Sequence, residues 1–303
     1  MTSAAPTFTG TAAEAWRERD VPARPESYLQ AARRRFMQNR VGLAALGVLG
    51  MLVLSAILAP WLTTHDPTVG VPAERLLPIG SAGHVLGTDE QGRDMLTRLL
   101  YGGRLSLIAG LVPVLIATSI GTTLGAVAGY LGGWVAAVIM RTMDMFYAFP
   151  TVLLAIAVSA SLGPGLKNVI IAMTIVYIAP IARVAEAATR KVVVAEFIEA
   201  ARLTGASTVR ILFTQVLANI FSPIFVYASG LVGLSIVIAA SLSFLGLGVA
   251  PPAAEWGFML NALRGTIYVN PWVAALPGLF IFAVSISFNM LADAIRDALD
   301  VKG

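Results

Sequence analysis

Most of this chain shows neither alternation nor a helical stripe: apolar residues run on without a charge, well past the length of a buried strand. One such run lies between Arg40 and Asp66, and it has room for a single bilayer crossing of about 20 apolar residues. Leu105 to Met140 is free of charge for 36 residues, too long for one crossing, and Gly129-Tyr130-Leu131-Gly132-Gly133 supplies a break. A third span is expected from about Met143 to Ala160 and a fourth from Asn168 to about Ala182. The 44-residue charge-free run from Ile211 to Ala254 contains a fifth, about Ala218 to Leu245, ahead of turn signals at Pro251-Pro252. Thr266 to about Leu291 makes the sixth. The pattern therefore predicts an all-α, polytopic membrane protein of about six transmembrane helices.

The interruptions divide the chain. Residues 1–40 form a polar tail in which Ser27 to Asn39, with Arg33-Arg34-Arg35, reads as an interfacial helix meeting anionic headgroups. The first span takes 41–63, a segment of 64–104 follows, the remaining spans fill 105–291, a polar loop of 183–217 divides the fourth from the fifth, and 292–303 is a second tail. Within 64–104, Asp94 and Arg98 lie one turn apart with Met95, Leu96, Leu99 and Leu100 on one side, the pattern of a short helix on the membrane surface. Gly121, Gly125 and Gly129 place a small residue at every fourth position of the second span, which lets a neighbouring helix approach closely.

Charge fixes an orientation. With the N-terminus inside, 15 of the 21 Lys and Arg fall on the inner side and six on the outer, so both termini and the 183–217 loop are expected in the cytoplasm of a multi-pass protein. The net charge of +4 then reflects topology and lipid contact rather than nucleic-acid binding. A hydrophobic content of 57% and a mean hydropathy of +0.79 fit a chain solvated by lipid. The first forty residues show no cleavable signal pattern. The absence of Cys removes disulfides, thiolate metal sites and cysteine nucleophiles. His65 and His84 lack further ligands at a recognisable spacing, so both are expected to be solvated and no metal site is read.

Near the start of the third span, Arg141 and Asp144 lie three apart and are expected to form a structural ion pair at the cytoplasmic edge. Ser235, Ser241, Ser243, Ser285, Ser287 and Asn289 are candidates for lining a pathway; each can equally bond a neighbouring helix. No G-x-x-x-x-G-K-[ST] loop occurs, the nearest likeness at Gly163 to Lys167 having the wrong spacing. No Ser, His and Asp stand as a nucleophilic set.

The polar loop carries the most chemistry. Lys191 to Ala201 is rich in helix formers, Phe197, Ile198 and Ala201 share one side, Gly205 is placed to end a helix, and Ser207 to cap the next. Its segment "EAARLTGAS", from Glu199 to Ser207, resembles the E-A-A-x-x-x-G signature of the membrane subunits of prokaryotic ABC importers. "LGTDEQGRDMLTRLLYGGRLSL" at 86–107, "GYLGGWVAAVIMRTMDMFYAFP" at 129–150, "SLSFLGLGVAPPAAEWGFML" at 241–260 and "ADAIRDALD" at 292–300 resemble the peptide-importer permeases of the DppC/OppC type. The likeness spans nearly all of the chain after the tail. It departs where the family continues Ile-x-Leu-Pro: here stand Gln215, Val216, Leu217 and Ala218, without the proline that presets a helix break.

The resemblance implies a type I importer fold of the MetI-like kind. It implies that Glu199, Ala200, Ala201, Arg202, Gly205 and Ala206 form a coupling helix seated on an ATPase subunit. It implies, as partners, a homologous DppB/OppB-like second permease, two ATPase subunits that bind ATP and Mg, and an extracytoplasmic substrate-binding protein. The chain itself would hold no cofactor, perform no covalent chemistry and lie in the cytoplasmic membrane. The cargo implied is a di- or oligopeptide, with nickel complexes, glutathione or oligosaccharides as alternatives. A secondary transporter or channel explains the spans equally but wants ionisable residues at mid-depth, where the sequence reading places none. A membrane-embedded enzyme lacks its catalytic set.

Overall fold

The computed structural model describes residues 28–299. The tail residues before these, with Arg17, Arg19 and Arg24, and the last four, with Lys302, lie outside the described residues. Helix α1 (Tyr28–Gln38) leads through Asn39 into α2 (Arg40–Ile57), whose first turn is closed by Asn39 Oδ1 accepting the Gly42 N–H at 2.9 Å. A short turn of helix, α3 (Ala59–Leu62), and a turn-rich segment of 63–94 follow. Five helices are long and apolar enough to cross a bilayer, and a bent pair makes a sixth crossing if counted as one span.

The second span corrects the sequence reading. No separate surface helix forms at 94–100; α4 runs unbroken from Met95 to Leu131 over 37 residues. Asp94 caps it by accepting the Thr97 N–H at 2.7 Å, and nothing between there and Leu105 breaks it. Inside the helix, Gly102 and Gly103 make room for the Trp256 ring, whose atoms would lie 3.3 and 3.0 Å from a methyl group at the two positions. Trp256 in turn donates its indole N–H to the Leu99 carbonyl at 2.8 Å.

The third span departs further. A single crossing from about Met143 to Ala160, bent at Pro150, was the expectation; the chain forms two helices, α5 (Gly133–Tyr147) and α6 (Thr151–Leu162), at 89° to each other. Pro150 has no N–H to continue the ladder and pushes Phe149 away from helical backbone, so the helix stops at the break and restarts after it. The fourth span, α7 (Leu166–Val193), extends eleven residues past the expected end at Ala182. Its tightest partner is α4: a methyl group at Gly121 would stand 2.9 Å from the Ile178 carbonyl, at Gly125 2.6 Å from Ala185 Cβ, and at Gly129 2.7 Å from Thr189 Cβ. The glycine row is thus the seam of the α4–α7 pair.

After α7 come α8 (Glu196–Leu203) and α9 (Thr208–Ile211), then a π-helical turn over Leu212–Val216 that joins α9 to α10 (Leu217–Phe244). The π turn stands just before Ala218, so a local irregularity is present there without the proline. Short α11 (Trp256–Ala262) precedes α12 (Pro271–Leu299), which continues past the expected Leu291 and packs on α1, α2 and α10. Glu255 caps α11 through the Gly257 and Phe258 N–H groups and accepts the Ser106 hydroxyl at 2.9 Å, pinning α11 to α4.

The seam predicts a contrast. Gly125→Leu should destabilise the purified protein by about 1–3 kcal/mol through overpacking, whereas Gly47→Leu, with nothing within 4 Å of its added carbon, should leave thermal stability unchanged. Equal melting temperatures for the two variants would refute the seam.

Candidate functional site

At the end of the bundle that also carries α1, the loop between α7 and α10 is a compact two-helix turn. Helix α8 ends in a Schellman motif: the Ala206 N–H reaches the Ala201 carbonyl at 3.1 Å and the Gly205 N–H the Arg202 carbonyl at 3.0 Å. Gly205 sits at φ +78°, where a side chain would be strained. Ser207 Oγ accepts the Arg210 N–H at 3.4 Å and starts α9. Ile198 is fully buried among Ala126 of α4, Ala185 of α7, and Ile211, Val216 and Ile220. That one side chain ties the loop to three membrane helices.

Around it the candidate residues divide. Glu199, Ala200 and Gly205 face solvent, while Ala201 and Ala206 pack partly against the Ile198 cluster. Arg202 leans back on α4, its guanidinium 5.1 Å from the Tyr130 ring and its Nε donating to Tyr130 Oη at 3.4 Å. Phe197, expected to share a side with Ile198 and Ala201, is exposed; the single buried position on this short helix is taken by Ile198. Val194 and Leu203, 84% and 85% exposed, flank the helix, with Val209 beyond.

A second feature lies at the broken span. Phe146, Tyr147, Phe149, Tyr177 and Tyr227 line a groove of about 470 Å³ between α5–α6, α7 and α10. Tyr227 also borders a second groove of about 410 Å³, with Ser222, Pro223 and Arg296, toward the loop end of the bundle. On the rim of the first groove, Asp144 is paired with Arg183 of α7, not with Arg141. Arg141 is exposed on α5; the helix direction turns Asp144 toward α7 instead, where Met143 packs on Ala179 and Ala182. None of the six polar residues expected along a pathway borders either groove. Ser285 donates to the Gly233 carbonyl at 2.8 Å, joining α12 to α10, and Asn289 packs over the same glycine. Ser241 and Ser287 donate back to Val237 and Ala283 in their own helices. Ser235 and Ser243 are buried in α10. The groove aromatics were not legible as a set, because only the bend brings α5 and α6 against α7 and α10.

At the opposite end, residues 63–94 fold around buried charge. His84 is buried, not solvated: its Nδ1 lies 3.0 Å from Asp94 Oδ1, its Nε2 3.3 Å from Glu74 Oε2, and its ring stacks on His65 with centroids 5.0 Å apart. Arg93 donates to Asp89 at 2.6 Å, and Arg98 bonds the Pro67 carbonyl at 2.7 Å with its Nε 3.4 Å from Asp89. The hydrogen bond to Asp94 holds the His84 pKa above its ordinary 6.5, against the opposing pull of burial. For Asp94, burial pushes upward, but the hydrogen bonds from Thr97 and His84 outweigh it and its pKa is lowered. Among the described residues no group of three or more His, Asp and Glu could hold a metal ion.

Comparison with known proteins decides the family. Residues 121–302 match the model of the binding-protein-dependent transport system inner membrane component, and residues 27–78 that of the N-terminal transmembrane domain of oligopeptide transport permease C. The chain belongs to this family of ABC importer permeases. Among the permease's relatives, the glutathione transport system permease protein GsiD of Salmonella typhimurium is 47% identical over 269 residues, 89% of each chain. The di/tripeptide transport system permease protein DppC of Pseudomonas aeruginosa is 42% identical over 272 residues, 88% of this chain and 90% of that one. A chain of the MetNI methionine ABC transporter superposes with a TM-score of 0.52 at 17% identity, covering 68% of this permease and 97% of its own length, which shows the MetI-like fold. The permease is therefore a multi-pass component of the inner membrane in a transport system that works with a binding protein.

The raised pKa of His84 sets a pH dependence. Its contribution is fully present below 6.5 and is lost as pH rises through the raised value, because over that window the unfolded chain has released a proton that the folded chain still holds. Thermal stability should therefore fall as pH rises above about 6.5, and His84→Gln should flatten that slope. A His84→Gln protein with the wild-type slope would contradict the assignment.

Proposed function

We propose that the permease is one of two homologous halves that pass peptides, in the size range of dipeptides to glutathione, across the cytoplasmic membrane. The observation that carries this is the near full-length identity to permeases whose names specify glutathione and di- or tripeptides. The excess of Lys and Arg at the loop end supports placing that end, with both termini, in the cytoplasm. The α8 surface then offers Glu199, Ala200 and the flanking Val194 and Leu203 to an ATPase subunit.

The chain's own residues do not fit ATP or Mg, since its sequence contains no phosphate-binding loop. Nucleotide and Mg belong to two partner ATPases in this reading, and cargo arrives on an extracytoplasmic binding protein. Closure of the ATPases displaces α8, and the buried Ile198 passes that displacement to α4, α7 and α10 together. The half-bundle then rocks against its partner as a rigid body.

Gly205→Trp and Glu199→Arg test the docking directly. In reconstituted complexes each should insert normally yet cut peptide uptake at least about tenfold, the equivalent of about 1.4 kcal/mol of lost coupling. Wild-type uptake in either variant would count against the docking role.

A further inference from the structure

The Asp144–Arg183 pair stands at the loop-side edge of the membrane bundle. Both side chains are close to half exposed, 40% and 45%. Beyond Arg183, α7 goes on through Glu186, Arg190 and Lys191 to Val193, so the pair marks the change from apolar span to polar loop. A half-exposed ion pair there is not matched to lipid. It has to face water, another polypeptide or a polar solute.

Its surroundings have the chemistry of a binding site. Arg183 follows Pro180, a groove residue, by three positions, and its guanidinium lies 4.8 Å from the ring centroid of Tyr147, another groove residue. The groove's volume of about 470 Å³ falls in the range of small-molecule sites, about 300–1,000 Å³. Helix α6 begins at its edge after Pro150, and no side chain caps it. The first N–H groups of α6, at Thr151, Val152 and Leu153, thus have no helical carbonyl to bond and carry the positive end of the helix dipole. Tyr177, 1% exposed, also borders the groove, with its hydroxyl directed at Ser235 of α10. A positive helix end, a cation and an anion stand around one aromatic hollow.

We propose that this groove and the ion pair on its rim form a transit subsite for zwitterionic peptide cargo. The carboxylate is taken by Arg183 and the α6 N-terminus, and the ammonium group by Asp144. The subsite rests on the peptide reading above, and it adds the residues that meet the cargo at the loop-side edge of the spans. During passage the cargo's two charges substitute for the partners in the existing ion pair, so neither side chain is left buried and alone. The groove that continues past Tyr227 to Arg296 gives the next station toward the loop end.

The experiment uses the full complex, with its ATPases and binding protein, in proteoliposomes, and Ala-Ala and glutathione as probes. A benzophenone amino acid placed at Phe149 should crosslink labelled Ala-Ala during turnover. Arg183→Gln and Asp144→Asn should each lower the cargo moved per ATP hydrolysed at least about tenfold, as expected for loss of one charge-assisted hydrogen bond. Arg183→Lys, which keeps the charge, should retain most of the uptake and so separates loss of charge from misfolding. Crosslinking together with loss of uptake in the neutral variants supports the subsite. Wild-type uptake in both neutral variants overturns it. Loss of uptake with no crosslink at Phe149 also overturns it, since the pair would then only join this chain to the second permease half. A wild-type complex that moves neither probe would instead overturn the peptide reading itself, and the subsite with it.

Discussion

The close approach of α4 and α7 is the constraint on which the rest of this permease depends. In lipid there is no hydrophobic force to press two apolar helices together, so backbone proximity and dispersion decide which pairs form. Gly121, Gly125 and Gly129 remove the side chains that would hold α7 away. Once seated, α7 presents Ala179 and Ala182 to Met143 of α5, Ala185 to the Ile198 pocket, and Arg183 to Asp144. The docking loop and the cargo groove are therefore built on opposite faces of one helix. A displacement delivered at Ile198 reaches the groove without crossing a flexible link.

The 63–94 segment follows a different logic. It has few apolar residues to bury, and it is organised by hydrogen-bonded charge: His84 between Asp94 and Glu74, and Asp89 between Arg93 and Arg98. Asp94 serves both the cluster and the cap of α4, so the segment is tied to the first turn of the second span. Trp256 and Glu255 add a second tie through α11.

Much of this was legible in the sequence where one residue type has one physical use. The charge-free runs located the spans, the glycine row marked a seam, and Gly205 and Ser207 marked a helix end and a helix start. Where a residue has two uses, the reading went astray. His84 looked solvated because its partners Glu74 and Asp94 are ten residues away on either side. Asp144 was assigned the nearest cation in sequence, whereas the packing of α5 on α7 hands it to one 39 residues later. The groove was invisible because its aromatic residues are scattered over three helices and the break between α5 and α6, and converge only through the 89° bend.

The central claim, that the turn from α8 to α9 is a cytoplasmic seat for an ATPase, has a direct test because the chain has no cysteine of its own. A single Thr204→Cys, on the exposed end of α8, can be probed with a membrane-impermeant maleimide in cells and in inside-out vesicles. The account predicts labelling only where the cytoplasmic face is accessible, and protection when the ATPase subunits are bound. Labelling of intact cells, or labelling in vesicles that is indifferent to the ATPases, would contradict it.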